Sequence, residues 1–351
     1  MRVVYERSKG LTDNEMHYCP GCGHGIVHKL IAEVMVELDI LDTAICICPV
    51  GCSVFAGNYL ACDCIEAAHG RAPAVATGVK RTHPDQPVFT YQGDGDLASL
   101  GAAEITHAAT RGENITVIFV NNAIYGMTGG QMAPTSLPNQ VTQTSPYGRD
   151  VSTAGYPVRV CELLSSLDGV AYLERVCVDS PKNIRKAKKA INKAFRYQID
   201  GIGYSLVEVV STCPTNWGMT PTDAFEWMRE NMLPYYPLGV YRDVVAEGYA
   251  NAAEAAAARA AECPIAMAEN PQLAALPSKA KVEDAITQLL KELTGSEIVT
   301  EVNSLDRQHR HWYEDYERFL GVLTVFTIVS LLIAVLGLMA MNSYFVGQRR
   351  R

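Results

Sequence analysis

The sequence predicts an α/β protein built on a doubly wound, mostly parallel sheet. From residue 1 to about residue 240, short β-branched runs alternate with segments of helical periodicity. The runs are almost continuously apolar, which is typical of parallel strands that are buried on both faces. Regular alternation of such strands with helices indicates a doubly wound domain. Ligands of these domains bind at the carboxyl ends of the strands, so the functional residues are expected in the loops that follow them.

The predicted elements can be placed along the chain. The strands are Thr43–Cys48, Pro87–Tyr91, Ile115–Val120, Val170–Val178 and Tyr204–Val210. The helices lie at about residues 25–38, 72–82, 98–110, 158–166, 181–198 and 221–231. We therefore assign residues 1–240 to one α/β domain.

Residues 241–318 differ in composition and are predicted to form a helical extension. The segment near residues 249–262 is rich in alanine, which favours a helix. A second short helix is indicated by an apolar face that ends before Gly295. Its apolar residues are Val282, Ile286, Leu289, Leu290 and Leu293. No catalytic pattern is visible in this extension.

Residues 319–348 carry no charged side chain and are predicted to form a transmembrane helix. Leu320–Met341 is long enough to span a bilayer core of about 30 Å at about 1.5 Å per residue. A buried helix of a soluble domain is the alternative. Arginines flank the segment on both sides, so its orientation stays open. The prediction is a cytoplasmic protein with a tether on the cytoplasmic side of a membrane.

Charge and cysteine content narrow the classes of function. The 351-residue chain has a net charge of −8, which argues against a nucleic-acid partner. Its one sustained basic run, Lys182–Lys193, is interpreted as the solvated face of a helix. The first residues lack the apolar core of a secretory signal, so a reducing compartment is expected. There, 11 cysteines favour metal, cluster or redox chemistry over disulfides.

Polar residues follow two consecutive predicted strands. Gly93, Asp94, Gly95 and Asp96 come after the strand that ends at Tyr91. Asn122 follows the next strand. Glycines let a ligand approach the backbone, and carboxylate and amide oxygens suit Mg²⁺. A helix that begins near Leu97 would direct its N-terminus at an anion. The pattern predicts a magnesium-held diphosphate at this edge of the sheet.

This spacing resembles the thiamine-diphosphate fingerprint, and the loop after Asn122 resembles that of the 2-oxoacid:ferredoxin oxidoreductases. The resemblance implies that Asp94, Asn122 and the Ile124 carbonyl bind Mg²⁺. It also implies that a set of loop residues lines the cofactor. These are Val50, Gly51, Cys52, Ser53, His69, Gly93, Gly95, Asp96, Gly126, Met127 and Thr128.

Four cysteines in loops could hold a metal centre. Cys19 and Cys22 form a C-x₂-C pair in a turn rich in glycine and proline, whereas Cys52 and Cys213 each follow a predicted strand. Spacing alone leaves Zn²⁺ and an iron–sulfur cluster open. The resemblance implies one [4Fe–4S] cluster on these four residues.

The other cysteines are interpreted as small buried hydrophobes. This applies to Cys46, Cys48, Cys161, Cys177 and Cys263. Cys62 and Cys64 are left unassigned.

The segment from Ala68 to Pro73 also resembles the family. The resemblance implies that His69 approaches the cofactor and that Arg71 contacts an anion. Together with Ser53, these two residues are the predicted catalytic side chains. His24 stays open, and packing is the interpretation of His107.

The family's activity gives the function that the resemblance implies. The chain would be the beta subunit of an enzyme that oxidatively decarboxylates a 2-oxoacid onto coenzyme A and passes electrons through the cluster to ferredoxin. The chain contains no second thiamine-type domain, so it is expected to need an alpha subunit, and gamma and delta subunits where these exist. The substrate is expected to be 2-oxoglutarate or a branched-chain 2-oxoacid.

Two other functions stay open from the residues. A non-redox thiamine enzyme, such as a decarboxylase or an acetolactate synthase, would share the glycine–aspartate motif but not the four cysteines. A membrane-bound iron–sulfur subunit would carry electrons without thiamine.

Overall fold

The structure, a computed structural model, describes residues 6–261. Its centre is a seven-stranded sheet with the strand order β2-β1-β3-β4-β6-β5-β7. All neighbouring strands pair in parallel except β5 and β7, which are antiparallel. The strands are β1 (Ile45–Pro49), β2 (Asp63–Ala67), β3 (Val88–Gly93), β4 (Thr116–Asn121), β5 (Val170–Cys177), β6 (Tyr204–Val210) and β7 (Gly239–Asp243).

Helices connect the strands, and short helical turns lie in the loops. In chain order they are α1 (His24–Glu37), α2 (Ala56–Tyr59), α3 (Ala72–Thr82), α4 (Ala102–Thr110), α5 (Val151–Ala154), α6 (Val160–Ser165), α7 (Pro181–Ile199), α8 (Pro214–Trp217), α9 (Pro221–Trp227), α10 (Leu233–Tyr235) and α11 (Ala252–Ala261). Two π-helical turns, Asp96–Leu100 and Met228–Met232, precede α4 and follow α9.

The sheet is covered on both faces. One core packs α1 and α7 against side chains such as Cys46, Phe89 and Val207. The other packs α3, α4 and α6 against the opposite face, where Ile47, Val117 and Leu206 lie. Because β1, β3, β4 and β6 are buried along nearly their whole length, they read in sequence as continuous apolar runs. The predicted doubly wound, mostly parallel fold is confirmed.

Two strands differ from the prediction. β2 was not predicted, because as an edge strand it is largely exposed and its sequence includes two acidic residues. β7 is a half-exposed antiparallel strand that contains Arg242 and Asp243. The domain boundary expected at residue 240 falls within β7, so the sheet continues to Asp243.

Part of the predicted C-terminal organisation lies outside the described residues. This applies to the helix of residues 282–293 and to the transmembrane helix of residues 319–348. Among residues 6–261, no helix is both long and apolar enough to cross a membrane.

A buried ion pair connects the sheet to the loop edge. Arg175 on β5 and Glu208 on β6 are both fully buried, with 2.9 Å between Nε and Oε2. Glu208 also accepts a hydrogen bond from Asn121 Nδ2 at 2.8 Å. The guanidinium contacts Glu162 as well, with 3.0 Å between Nη1 and Oε1. The end of β4 is thus held by a charged network inside the sheet layer.

Replacing Arg175 should destabilise the fold strongly. Arg175→Met leaves Glu208 as an uncompensated buried charge, which typically costs about 3–5 kcal/mol of unfolding free energy. The measurement is urea unfolding of the full chain. Arg81→Met is the matched control, because Arg81 pairs with Glu113 at 2.6 Å from a side chain that is 63% exposed. The control should change the free energy by about 1 kcal/mol or less. Equal losses in the two variants would contradict this account of the network.

Candidate active site

A cleft opens at the carboxyl ends of β1, β3 and β4. Its cavity volume is about 90 Å³. The lining residues come from the loops after these strands and from the start of α1. They are His24, Val50, Gly51, Cys52, His69, Gly93, Asp94, Gly95, Asp96, Asn122, Ile124, Tyr125, Gly126, Met127 and Thr128. The cleft therefore brings together most of the residues predicted to line a cofactor.

Asp94 is the centre of the cleft's hydrogen bonding. Its carboxylate accepts bonds from Gly95 N at 2.8 Å, Ile124 N at 3.2 Å and Thr135 Oγ1 at 2.6 Å. The side chain is buried. Burial raises the pKa of Asp94 from 3.8 to about 6, although these three hydrogen bonds oppose the rise. A buried carboxylate of this kind favours a cation beside it.

Asn122 presents an acceptor that has no partner among the residues that the structure describes. Its side chain is buried, and its Oδ1 atom makes no hydrogen bond to any described residue. The next residue, Ala123, has a φ of 57°, a left-handed conformation that is unusual for alanine. Ser136 Oγ at 2.6 Å and Gln140 Nε2 at 3.0 Å both donate to the Ala123 carbonyl, which holds this turn. The turn sets Asn122 and Ile124 at the cleft.

Gly95 is required by a close contact. A Cβ atom at this position would lie 2.2 Å from the ring of Tyr125. A Cβ atom at Gly93 would meet nothing within 4 Å. Gly95 is therefore needed for packing, whereas Gly93 leaves the cleft open above the strand.

His69 is oriented by Asp96. Its Nδ1 lies 2.6 Å from Asp96 Oδ1. Gly70 N at 2.5 Å and Gln92 Nε2 at 2.7 Å also donate to this carboxylate. Both Asp96 oxygens are thus engaged by the chain, and burial raises the pKa of Asp96. Asp96 therefore acts as a positioning residue that fixes the orientation of the His69 ring at the cleft.

Two predicted catalytic residues do not line the cleft. Ser53 is buried, and its hydroxyl donates to the Pro49 carbonyl at 3.4 Å. Arg71 precedes α3, and its half-exposed guanidinium pairs with Glu104. Each of these two side chains therefore has its polar partner outside the cleft.

Two cleft residues were not predicted. His24, which had been left open, is the first residue of α1 and lines the cleft. Burial, reinforced by His17, lowers the pKa of His24 to about 4, so its ring is neutral. Tyr125 lines the cleft beside Gly95. The neighbouring CPGC and glycine motifs were the only sequence signal for these residues.

The four cysteines predicted to hold a cluster converge beside the cleft. A Cβ atom at Gly126 would lie 3.3 Å from Cys52 Sγ and 3.5 Å from Cys213 Sγ. Burial raises the pKa of Cys22 to about 12, and Cys213, Cys52 and Cys19 raise it further. Burial and the same neighbourhood raise the pKa of Cys52 to about 11. The raised pKa values of Cys22 and Cys52 mean that these two thiols stay protonated unless a cation compensates them.

The segment that carries Cys19 and Cys22 is anchored from both sides. The Tyr18 hydroxyl donates to the Cys52 carbonyl at 2.9 Å and contacts His28 Nε2 at 2.8 Å. Thr212 Oγ1 donates to the Gly21 carbonyl at 2.6 Å. The turn between the two cysteines is therefore fixed to the loop after β1 and to the end of β6.

The sequence that forms this site matches a known domain family. Residues 49–209 match the thiamine pyrophosphate enzyme C-terminal TPP-binding domain. A ketoisovalerate oxidoreductase subunit VorA from Methanothermobacter thermautotrophicus is 52% identical over 244 residues. That match covers 70% of this chain and 51% of the relative, so the chain spans about half of that protein's length.

A second relative is matched over most of its length. A 2-oxoglutarate synthase subunit KorB from Methanocaldococcus jannaschii is 36% identical over 223 residues, which is 62% of this chain and 78% of the relative. Among solved structures, a 2-oxoglutarate:ferredoxin oxidoreductase from Magnetococcus marinus has the same fold, with a TM-score of 0.57 and 24% identity. That similarity covers 76% of this chain and 94% of the solved chain. The chain matches these subunits in sequence and contains the TPP-binding domain. It therefore belongs to the family of thiamine pyrophosphate-binding subunits of 2-oxoacid:ferredoxin oxidoreductases.

Proposed function

We propose that this chain is the thiamine-diphosphate-binding subunit of an enzyme that oxidatively decarboxylates a 2-oxoacid to an acyl-coenzyme A, with ferredoxin as the electron acceptor. The observation that carries the proposal is the joint position of the oxygen atoms of Asp94 and Asn122 and of four cysteines at one edge of the sheet. A non-redox thiamine enzyme has no use for the sulfurs. A simple electron carrier has no use for the oxygens.

The oxygen donors fit a magnesium-bound diphosphate. Asn122 Oδ1 is buried and has no partner within residues 6–261, and a cation would supply one. Asp94 is held within reach of the same turn by its bond from Ile124 N. Hard oxygen ligands of this type suit Mg²⁺, which takes its remaining ligands from phosphate and water. The helical turns that begin after Gly93 direct backbone N–H groups at the same cleft.

The sulfur donors fit an iron–sulfur cluster better than a single ion. One tetrahedral Zn²⁺ with bonds of about 2.3 Å would hold its sulfurs about 3.8 Å apart. Among the described residues, no three of Cys19, Cys22, Cys52 and Cys213 lie within 4.8 Å of one another. Their wider spacing around one centre is the arrangement that a four-iron cluster needs.

In this proposal the residues of the chain bind and orient the cofactor and shield its cleft. When bound, thiamine supplies an electron-accepting ring for the loss of CO₂. His69 lines the cleft and is oriented there by Asp96. His24 stays neutral at the inner wall, so it adds no charge that would compete for an anionic substrate. Gly126 leaves the space between the cofactor cleft and two of the cysteines free of side chains.

The substrate and the partners follow from the relatives. We propose a branched-chain 2-oxoacid, because the relative named for ketoisovalerate is 52% identical, against 36% for the one named for 2-oxoglutarate. The match spans about half of the first relative, and both relatives are named as subunits. We therefore propose that other subunits complete the enzyme and supply the groups that activate thiamine.

The activity itself gives the first test. The complex purified anaerobically should reduce methyl viologen when a 2-oxoacid and coenzyme A are both present. Ketoisovalerate should be turned over with a kcat/KM about tenfold above that for 2-oxoglutarate, the discrimination that one apolar pocket typically provides. Omitting coenzyme A is the control. Absence of viologen reduction with every 2-oxoacid, or CO₂ release without electron transfer, would favour the non-redox alternative.

Removing the Asn122 acceptor should weaken cofactor binding and leave the stability of the fold almost unchanged. Asn122→Ala deletes an oxygen that makes no hydrogen bond to any described residue, so the unfolding free energy should change by about 0.5 kcal/mol or less. Binding of thiamine diphosphate with Mg²⁺ should weaken by about 100-fold, since even the outer partners of metal ligands contribute 10- to 100-fold. Calorimetry measures the binding, and urea unfolding measures the stability. Unchanged binding would remove the magnesium site.

Asp94→Asn is the companion variant, and its effect on stability should depend on pH. Because burial raises the pKa of Asp94 to about 6, its ionised form destabilises the cofactor-free fold above that pH. The amide should raise stability at pH 8 by about 2 kcal/mol, after about 1 kcal/mol for a weakened hydrogen bond. The gain should shrink as the pH falls below about 6 and reverse by about pH 4, where the unfolded carboxyl group is also becoming protonated. Thiamine diphosphate should not bind to this variant at either pH. A pH-independent difference would contradict the assigned ionisation.

Gly126 gives a steric test of the wall between the two sites. Gly126→Ala places a methyl group within 3.3 Å of Cys52 Sγ and 3.5 Å of Cys213 Sγ. We expect absorbance near 400 nm that bleaches with dithionite in the parent protein, and loss of most of the bound iron in this variant. Gly78→Ala is the matched control, because a Cβ atom there meets nothing within 4 Å. Normal iron content in Gly126→Ala, or loss of iron in both variants, would count against the cluster position.

A further inference from the structure

A second group of cysteines lies apart from the cleft, on the α1 side of the sheet. Cys46 and Cys48 are on β1, and Cys64 is on β2, its parallel neighbour. Side chains two residues apart on a strand point to the same face. The register pairs Cys46 with Cys64 across the two strands. Strand geometry therefore brings three sulfurs from two neighbouring strands to one point.

The distances are those of a coordination site. Cys46 Sγ and Cys48 Sγ are 3.4 Å apart, and the sulfurs of Cys46, Cys48 and Cys64 all lie within 4.8 Å of one another. Sulfurs around one tetrahedral ion lie about 3.8 Å apart when each bond is about 2.3 Å. Within the part of the chain that the structure describes, no other three cysteine, histidine or acidic side chains meet this closely.

Cys62 offers a further sulfur, which lies outside the group of three that are within 4.8 Å of one another. Its side chain contacts that of Cys64, and both pack against the core beneath α1. Gly57 leaves room for Cys64, because a Cβ atom there would lie 3.4 Å from the Cys64 sulfur. All four cysteines are free thiols in the described chain. Two C-x-C pairs thus face each other across adjacent strands.

The surroundings suit a bound metal ion. Cys46 and Cys48 are buried, whereas Cys62 and Cys64 are partly exposed at the edge strand, which gives an ion a path in. His28 on α1 is fully buried and interacts electrostatically with Cys64. Its Nε2 contacts the Tyr18 hydroxyl, and its Nδ1 has no partner among the described residues. His28 is therefore a second candidate for the fourth position.

We propose that Cys46, Cys48, Cys62 and Cys64 form a structural site for one thiophilic metal ion of the Zn²⁺ class, separate from the cluster cysteines. Soft thiolates select such ions over Mg²⁺ or Ca²⁺. Binding releases the thiol protons, and the four sulfur ligands close the coordination sphere, which is the pattern of a structural ion rather than a catalytic one. The ion would fasten edge strand β2 to β1.

Zinc content is measured by mass spectrometry on the full chain, purified anaerobically with a reductant and incubated with Zn²⁺. We expect one tightly held equivalent in the parent protein. Cys48→Ala/Cys64→Ala should reduce the zinc by fivefold or more and leave the iron content unchanged. Cys19→Ala/Cys22→Ala should do the reverse, which separates this site from the cluster of the proposed function. Cys161→Ala, in the core on the opposite face, should alter neither metal.

A measurement on the unaltered protein covers the case in which the double variant does not fold. Zinc-edge X-ray absorption should show four sulfurs at about 2.3 Å. Alkylation followed by peptide mapping should find Cys62 and Cys64 protected with Zn²⁺ and modified after chelation.

The proposal fails on any of three results. These are less than 0.2 equivalents of zinc in the parent protein, zinc that survives in Cys48→Ala/Cys64→Ala, or a disulfide among these cysteines under reducing conditions. A sphere of three sulfurs and one nitrogen would support the site but overturn Cys62 as the fourth ligand in favour of His28.

Discussion

The candidate site depends on one buried carboxylate. Asp94 is bonded to the turn after β3 through Gly95, to the turn after β4 through Ile124 and to a third segment through Thr135. Thr135 is itself held from the other side, because the Tyr236 hydroxyl donates to its carbonyl at 2.6 Å. Three separate stretches of chain therefore meet at a single side chain. Burying that charge is unfavourable for the fold without a cation, which ties the geometry of the site to its ligand.

The two proposed centres share a wall. Cys52 lines the cleft and is also one of the convergent thiols, and Gly126 lines the cleft between its sulfur and that of Cys213. The cofactor and the cluster would therefore be separated by little more than backbone. Close spacing suits the transfer of single electrons. It also means that the loops after β1 and β4 form a common frame for both groups.

Sequence reasoning succeeded where the physical signal is local. The buried strands β1, β3, β4, β5 and β6 were visible as continuous apolar runs, and the loops after them contained the cofactor motifs. β2 and β7 were missed because edge strands alternate weakly and carry charged residues. The place of a side chain in the cleft depends on tertiary packing. Arg71 forms an ion pair with Glu104 instead of lining the cleft, and the buried Ser53 hydroxyl donates to the Pro49 carbonyl.

The roles of Asp96 and His24 could not be read from the sequence for the same reason. Asp96 stands beside Asp94 in one motif, yet its carboxylate faces Gln92, Gly70 and His69 instead of an open site. His24 reaches the cleft only because α1 begins at its inner wall. Motif spacing predicted that these residues lie near the cleft, but the contacts of each side chain depend on tertiary packing.

The anchoring of the Cys19–Cys22 turn has a consequence for biosynthesis. The Tyr18 bond to the Cys52 carbonyl fixes this turn to the loop after β1, and the Thr212 bond to the Gly21 carbonyl fixes it to the end of β6. Cys213 follows β6, a strand that inserts between β4 and β5. The four sulfurs come together only after the centre of the sheet has formed, so iron would be loaded late, into a nearly finished protein. If these cysteines hold the proposed cluster, a shortage of iron would leave folded subunits that hold the proposed thiamine cofactor but cannot pass electrons on.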